Sequence, residues 1–289
     1  MPLQVIDTTD SLTALMRFQT SAVYEMMISM HTLFQSVHHQ DWVTQTRKTM
    51  PPGMWNEIVA VYEPYGKGAL FFELAVDYAN HDDVIGFTEY VRQMDPVSFI
   101  FYLVGRIISL DEINKTQLDY EALRHALEHL GFDYHCVCMD VPLDLIVADI
   151  PAFQNRLADV WRWYWDVILC PQIEELRDHW MRALAEKENI LAQNGGEVLY
   201  EHITGHKQPP NPLPAEYPVS DITLVPLYLT PKSAYVFYGY GNVTALFDSE
   251  RSEARAVEIA RNKEQALEAF KALGDNSRLD ILRLIARDE

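Results

Sequence analysis

The chain has 289 residues, 48% of them hydrophobic and 22% charged, with a formal net charge of −19. That apolar share excludes a disordered polymer. From Arg251 onward eight basic and eight acidic residues cancel, so the whole acidic excess lies in the first 250 residues and excludes them as a phosphate-gripping surface.

In chain order, Leu3 to Asp7 reads as a short strand. Asp10 or Ser11 caps a predicted helix carrying Leu12, Leu15, Met16 and Phe18. Val23, Met26, Met27, Met30, Leu33 and Phe34 then recur at helical spacing. Pro51-Pro52-Gly53 breaks the chain, and helical patterns return over 54–62, 67–79, 84–94 and 96–110, the last opened by Asp95-Pro96. Val97 to Leu110 is the most apolar stretch, but Arg106 interrupts it and it falls short of the roughly 20 residues that span a bilayer. Leu118 to Leu130 is amphipathic and ends at Gly131. Pro142 and Pro151 each open a helix, and Pro171 opens a longer one to about Gln193.

The texture changes between 207 and 231, where seven of the fifteen prolines fall. Strand-type runs follow at Ile222–Leu229, Ala234–Tyr240 and Val243–Phe247, with Gly241-Asn242 as a hairpin signal. Pro226 inside the first run predicts an edge strand or a bulge. Arg251 to Leu273 is helical again, with charges of both signs on its exposed side. Gly274 ends it and Asp275 or Asn276 caps the next helix. The expected fold is mainly α: a multi-helix domain over 1–250 with a small β segment at about 222–248, then, over 251–289, a linker helix and the start of a second domain.

Residues 267–289 carry the most specific phrase: Leu273-Gly274-Asp275, then Arg278-Leu279, Ile281-Leu282 and Leu284. This resembles the opening of the ArsR-family winged helix, with Asn276-Ser277 where Pro-Thr is common. Leu279, Leu282 and Ile285 form one apolar stripe, as two helices joined by a tight turn also would. The resemblance implies a transcription regulator whose recognition helix and wing follow the two helices present here, DNA being bound through those following parts. Met16-Arg17-Phe18, Ser21, Tyr24-Glu25, Ser29-Met30-His31, Leu33 and His38-His39 also look like the N-terminal domain of long ArsR-type regulators. There the domain is expected to sense a ligand or shape a homodimer.

Several other constellations carry chemistry in principle. His135-Cys136-Val137-Cys138, with His125 and His129 nearby, could hold a soft ion such as zinc, or could be buried structural thiols. The Cys-Val-Cys lies in a different domain from the metal motif of ArsR-type sensors, so it is not that motif. Trp161, Arg162 and Trp165 are the candidate walls of a ligand pocket, with Arg162 holding an anion; the alternative is a core stripe formed by Trp161, Trp165, Ile168 and Leu169. His38-His39 beside Asp41 reads as a solvated helix end. No phosphate loop or nucleophile elbow is present, so no catalytic residue and no required cofactor is expected. Three cysteines and the absence of a leader pattern in Met1 to Val5 lead to an expected cytoplasmic protein with no membrane partner. The competing expectation is a helical small-molecule or protein-binding module with no DNA role.

Overall fold

The computed structural model describes residues 12–34, 39–128, 142–209, 217–231 and 234–250. The chain divides into two compact units, Met1–Ser249 and Glu250–Glu289. The linker helix and the winged-helix phrase (Leu273, Gly274, Asp275, Arg278, Leu279, Ile281, Leu282) lie outside the described residues, as do the Leu3–Asp7 strand and His135, Cys136 and Cys138. The first unit is mainly helical with a small four-stranded sheet, as its apolar periodicity predicts. Among the described residues no helix is long and apolar enough to cross a membrane.

Helix α1, Ala22–Thr32, is the axis of the core, and every one of its residues is buried. A helix apolar on all sides has to be surrounded. Several of its polar groups are satisfied internally: Thr32 Oγ1 donates to Ile28 O and Leu229 O, and Tyr164 Oη donates to Ser29 Oγ at 2.9 Å. Around it pack α2 (Gln40–Thr49), α3 (Pro52–Tyr62), a 3-10 segment (Gly66–Ala75), α4 (Val84–Gln93) and α5 (Pro96–Leu103). Then come α6 (Leu110–Lys115), α7 (Tyr120–Glu128), α8 (Leu143–Val147) and α9 (Ile150–Tyr164). The periodicity of 84–94 and the Pro-opened starts at 142 and 151 match α4, α8 and α9 closely.

Four elements differ from expectation for identifiable reasons. The helix expected over 67–79 is the 3-10 segment ending at Ala75, because Lys67 and Gly68 hold positive φ and break any α ladder at its start. The helix expected around Leu12 to Phe18 is a 3-10 turn, Thr13–Leu15, followed by strand β1, Met16–Phe18. A short apolar run fits either period, and pairing with a neighbouring strand decides it. The helix expected over 96–110 stops at Leu103. Gly105 N–H donates to Tyr102 O and Arg106 N–H donates to Phe101 O, a Schellman closure with Gly105 at φ 74°. The long helix expected from Pro171 begins at Ile173 as α10 (Ile173–Asn194); a π turn over Trp165–Leu169 and a 3-10 turn over Cys170–Gln172 join it to α9. Helices α2, α6 and α11 (Gly196–Thr204) had no sequence-level expectation.

The sheet runs in the order β1-β2-β4-β3, with β2 Asp221–Leu227, β3 Ala234–Gly239 and β4 Asn242–Asp248. β1 and β4 both lie parallel to β2, and β3 closes an antiparallel hairpin on β4. The hairpin turns on Tyr240-Gly241, one residue earlier than the sequence signal. Both have positive φ, 50° and 83°, as a two-residue type I′ turn requires. Pro226 sits within β2, yet costs no ladder bond. Leu224 O accepts from Gln19 N, so even-numbered residues face β1, and β1 pairs no farther than Leu224.

Side chains alternate between two environments. Ile222, Leu224, Val243, Ala245 and Phe247 pack against Leu199, Tyr200 and Ile203 of α11. Val225, Leu227 and Leu246, on the opposite face, join the core around α1. That second face is polar toward the starts of β2 and β4, where Asp221 is paired with Asn242 and Thr223 with Thr244.

Candidate functional site

A cavity of about 140 Å³ opens over this polar half-face. Asp221, Thr223, Asn242 and Thr244 form one wall, Arg17 and Gln19 continue it along β1, and Tyr24, Val76, Asp77 and His81 close it from the helical side. Tyr24, His81, Thr223 and Thr244 are buried, whereas Arg17 and Asp77 are exposed. The result is a deep part of neutral hydrogen-bonding groups under a charged rim.

Local rules place each group. Ser21 has extended backbone and caps α1, its Oγ accepting from Tyr24 N–H at 2.9 Å. The same Oγ lies 2.9 Å from His81 Nδ1. The serine oxygen has a second lone pair as well as its own proton, so it pairs with either tautomer of the imidazole, accepting from Nδ1–H or donating to a bare Nδ1. Burial holds His81 neutral, pulling it down to about 4, with Arg17 adding to the effect and Asp82 opposing it. His81 O accepts Val23 N–H, so the imidazole is fixed to the first turn of α1 through backbone and side chain alike.

Tyr24 is 1% exposed, and among the described residues its hydroxyl has no hydrogen-bond partner. Burial pushes the phenol well above its usual range, Glu73 and Asp77 adding to this and Arg106 and Arg17 opposing it. The hydroxyl therefore sits among charges, two of which, Asp77 and Arg17, line the cavity. Its ring lies 5.1 Å from that of His81 and 5.9 Å from that of Phe237. At the rim, Tyr102 Oη donates to Asp77 Oδ2 at 2.6 Å. Arg17 Nε lies 2.9 and 3.1 Å from the two Asp221 oxygens, and Thr223 Oγ1 donates to Asp221 at 3.0 Å.

Behind Tyr24 lies a buried ion pair. Arg106 Nε bonds Glu73 Oε2 at 2.5 Å, and Nη1 donates to Gly239 O at 3.1 Å. Arg106 Nη2 is buried without a partner, and the residue holds φ 55°. Burial raises the Glu73 carboxyl and Arg106 lowers it in part.

The structure does not bring Trp161, Arg162 and Trp165 to this cavity. Trp161 is fully buried and donates Nε1–H to the Tyr62 hydroxyl, with Phe87 stacked at 5.3 Å. Trp165 and Leu169 are buried near it, which is the core-stripe arrangement. Arg162 is on the surface and pairs with Asp166 one turn along. His39 is half-buried against the Tyr228 ring, and His38 lies outside the described residues. Cys170 is exposed, and among the described residues no group of three His, Cys, Asp or Glu side chains is placed to hold a metal.

Arg17, Ser21 and Tyr24 belong to the N-terminal phrase resembling long ArsR-type regulators; β1 places Arg17 and α1 places Tyr24 at the cavity, with Ser21 capping α1. Asp77, His81, Thr223 and Thr244 had no sequence signal except one. Two strand runs that are polar at their start and apolar afterwards, Asp221-Ile222-Thr223 and Asn242-Val243-Thr244, point to a wall that is wet at one end. Compared with protein-family models, with curated proteins and with solved structures, the chain matches none.

Proposed function

We propose that the first unit is the effector-binding part of a cytoplasmic, homodimeric transcription regulator of the ArsR type, and that the cavity between α1 and the sheet is its effector site. The observation that carries this reading is a polar cavity lined in part by Tyr24, whose buried hydroxyl has no hydrogen-bond partner among the described residues. Buried polar groups are almost always bonded, and the exceptions cluster where a ligand completes the bonding. The phrase Leu273-Gly274-Asp275…Arg278-Leu279 supplies the link to DNA. An effector that binds one arrangement of this unit better would shift the relation of two winged helices to their half-sites.

The acidic excess of the first 250 residues favours a second reading, a ligand-binding module with no DNA role. Fluorescence anisotropy on fragments of the gene's own upstream region separates the two. A protein that includes a recognition helix and wing should bind with a steep salt slope, and this chain alone should not. Absence of any fragment bound by the longer protein refutes regulation and leaves the binding module.

A further inference from the structure

We propose that the cavity takes a small neutral polyhydroxyl molecule of three or four carbons. This rests on the reading of the cavity as an effector site and adds its ligand class.

Size comes first. About 140 Å³ is close to the roughly 150 Å³ that accommodates a six-membered ring of carbon atoms, so the ligand has about six to eight heavy atoms. Charge comes next. The buried groups, Tyr24, His81, Thr223 and Thr244, are hydroxyls and a neutral imidazole. A formal charge placed among them would lose its hydration without a counter-charge, which costs far more than burying a hydroxyl. At the rim, Arg17 and Asp221 already neutralise one another, and Asp77 accepts from the Tyr102 hydroxyl. A molecule with adjacent hydroxyls meets both kinds of partner. It donates to Asp77 or Asp221, and it accepts from Arg17 or the Asn242 amide. One of its oxygens completes the Tyr24 hydroxyl. Each hydroxyl is donor and acceptor at once, which matches a wall that alternates the two.

The geometry also explains why the polar patch ends where it does. Beyond Thr223 and Thr244 the same face turns to Val225, Leu227 and Leu246. A longer chain would have to press hydroxyls onto that apolar half.

The test is saturation-transfer NMR and calorimetry on the full chain with glycerol, erythritol and threitol as probes. 1,4-Butanediol serves as the hydroxyl-poor control, and ethanolamine and succinate as the charged alternatives. The expected result is saturable binding of a triol or tetrol, unequal affinities for the two tetrol diastereomers, and none for the diol. Tyr24→Phe removes only a hydroxyl that is unpaired in the empty protein, so the variant should melt no earlier than the parent while binding the polyol at least tenfold more weakly. The proposal is overturned if no polyol saturates, or if Tyr24→Phe binds it as the parent does. If ethanolamine or succinate saturates instead and Tyr24→Phe weakens it, the ligand class falls and the effector site stands. Polyol binding in a protein whose longer form touches no upstream DNA would uphold the ligand class and refute the regulator.

Discussion

Removing the Glu25 carboxylate should be among the most damaging single changes in the chain. Glu25 is fully buried in α1, and its two oxygens receive three N–H donors: Trp180 Nε1 at 2.7 Å, Tyr228 N at 2.9 Å and Leu229 N at 2.7 Å. It thereby ties three elements together at one point: α1, α10 and the chain leaving the end of β2. Glu25→Ala strands all three donors in a space too apolar to supply replacements. At about 1–3 kcal/mol for each stranded donor, the loss is on the order of 4 kcal/mol, a large part of the 5–15 kcal/mol typical of a folded domain. Urea unfolding at pH 8, where Glu25 is a carboxylate, followed by far-ultraviolet circular dichroism and tryptophan fluorescence, reads it. Trp180→Phe removes one donor along with its bond, so a double-mutant cycle with Glu25→Ala should return a coupling of about 1–2 kcal/mol. A Glu25→Ala loss under about 1 kcal/mol, or no coupling to Trp180, would refute the reasoning that this carboxylate holds the core to the sheet.

The same residue gives a pH signature. Burial raises Glu25 from 4.5 to about 7, so between those values the folded chain keeps a proton that the unfolded chain sheds, and stability falls as pH rises. His81 is lowered from 6.5 to about 4, so over that window the unfolded chain binds the extra proton and stability rises with pH. Each effect is on the order of 3 kcal/mol and they oppose one another from about pH 4.5 to 6.5. Relative to the parent, Glu25→Gln should therefore lose stability on acidification across that window and His81→Asn should gain it; parallel urea profiles for all three would contradict the assignment. Gly68→Ala should cost about 2–4 kcal/mol in urea unfolding, because the backbone has φ 88° and a Cβ there would fall 2.2 Å from the buried Tyr62 ring. Arg106→Met should cost about 3–5 kcal/mol by leaving Glu73 buried and uncompensated, and adding Glu73→Met should recover most of it; a double variant no more stable than the single one would count against a pair that matters only as a pair.

The elements legible in the sequence are those whose own residues carry the signal. Asp95-Pro96 and Pro151 were readable as helix starts, and the structure adds Asp149 as the cap of the second. The β3–β4 hairpin was readable from its glycine. β1 was not, because Met16-Arg17-Phe18 becomes a strand only by pairing with residues about two hundred positions away. The end of α5 at Gly105 was missed because the apolar run continues past it to Leu110, and apolarity alone does not register a Schellman closure. Of the cavity wall only Arg17 and Tyr24 fall in the N-terminal phrase; Asp77 and His81 sit in turns with no period, and Thr223 and Thr244 meet only through strand register. The tryptophan stripe drew attention by density, and density of aromatic residues is a core signal more often than a site signal.

Polar satisfaction is unevenly distributed in this unit, and the unevenness is an argument. Away from the cavity many buried polar groups are bonded: Glu25 by three donors, Ser29 by Tyr164, Trp161 by Tyr62, Gln154 by the carbonyls of Val91 and Met94, though Ser249 Oγ is not. Around the cavity the pattern reverses. Tyr24 carries a buried hydroxyl with nothing to bond, and Arg106 adds a buried unpaired nitrogen on a residue held at positive φ. Replacing Tyr24 by phenylalanine and Thr223 and Thr244 by valine would fill the same volume without those penalties, and a sequence optimised for stability alone would do so. Among the described residues the unpaired Tyr24 hydroxyl and the unpaired, positive-φ Arg106 lie close together beside one cavity, which is what the proposal of a binding site there would account for.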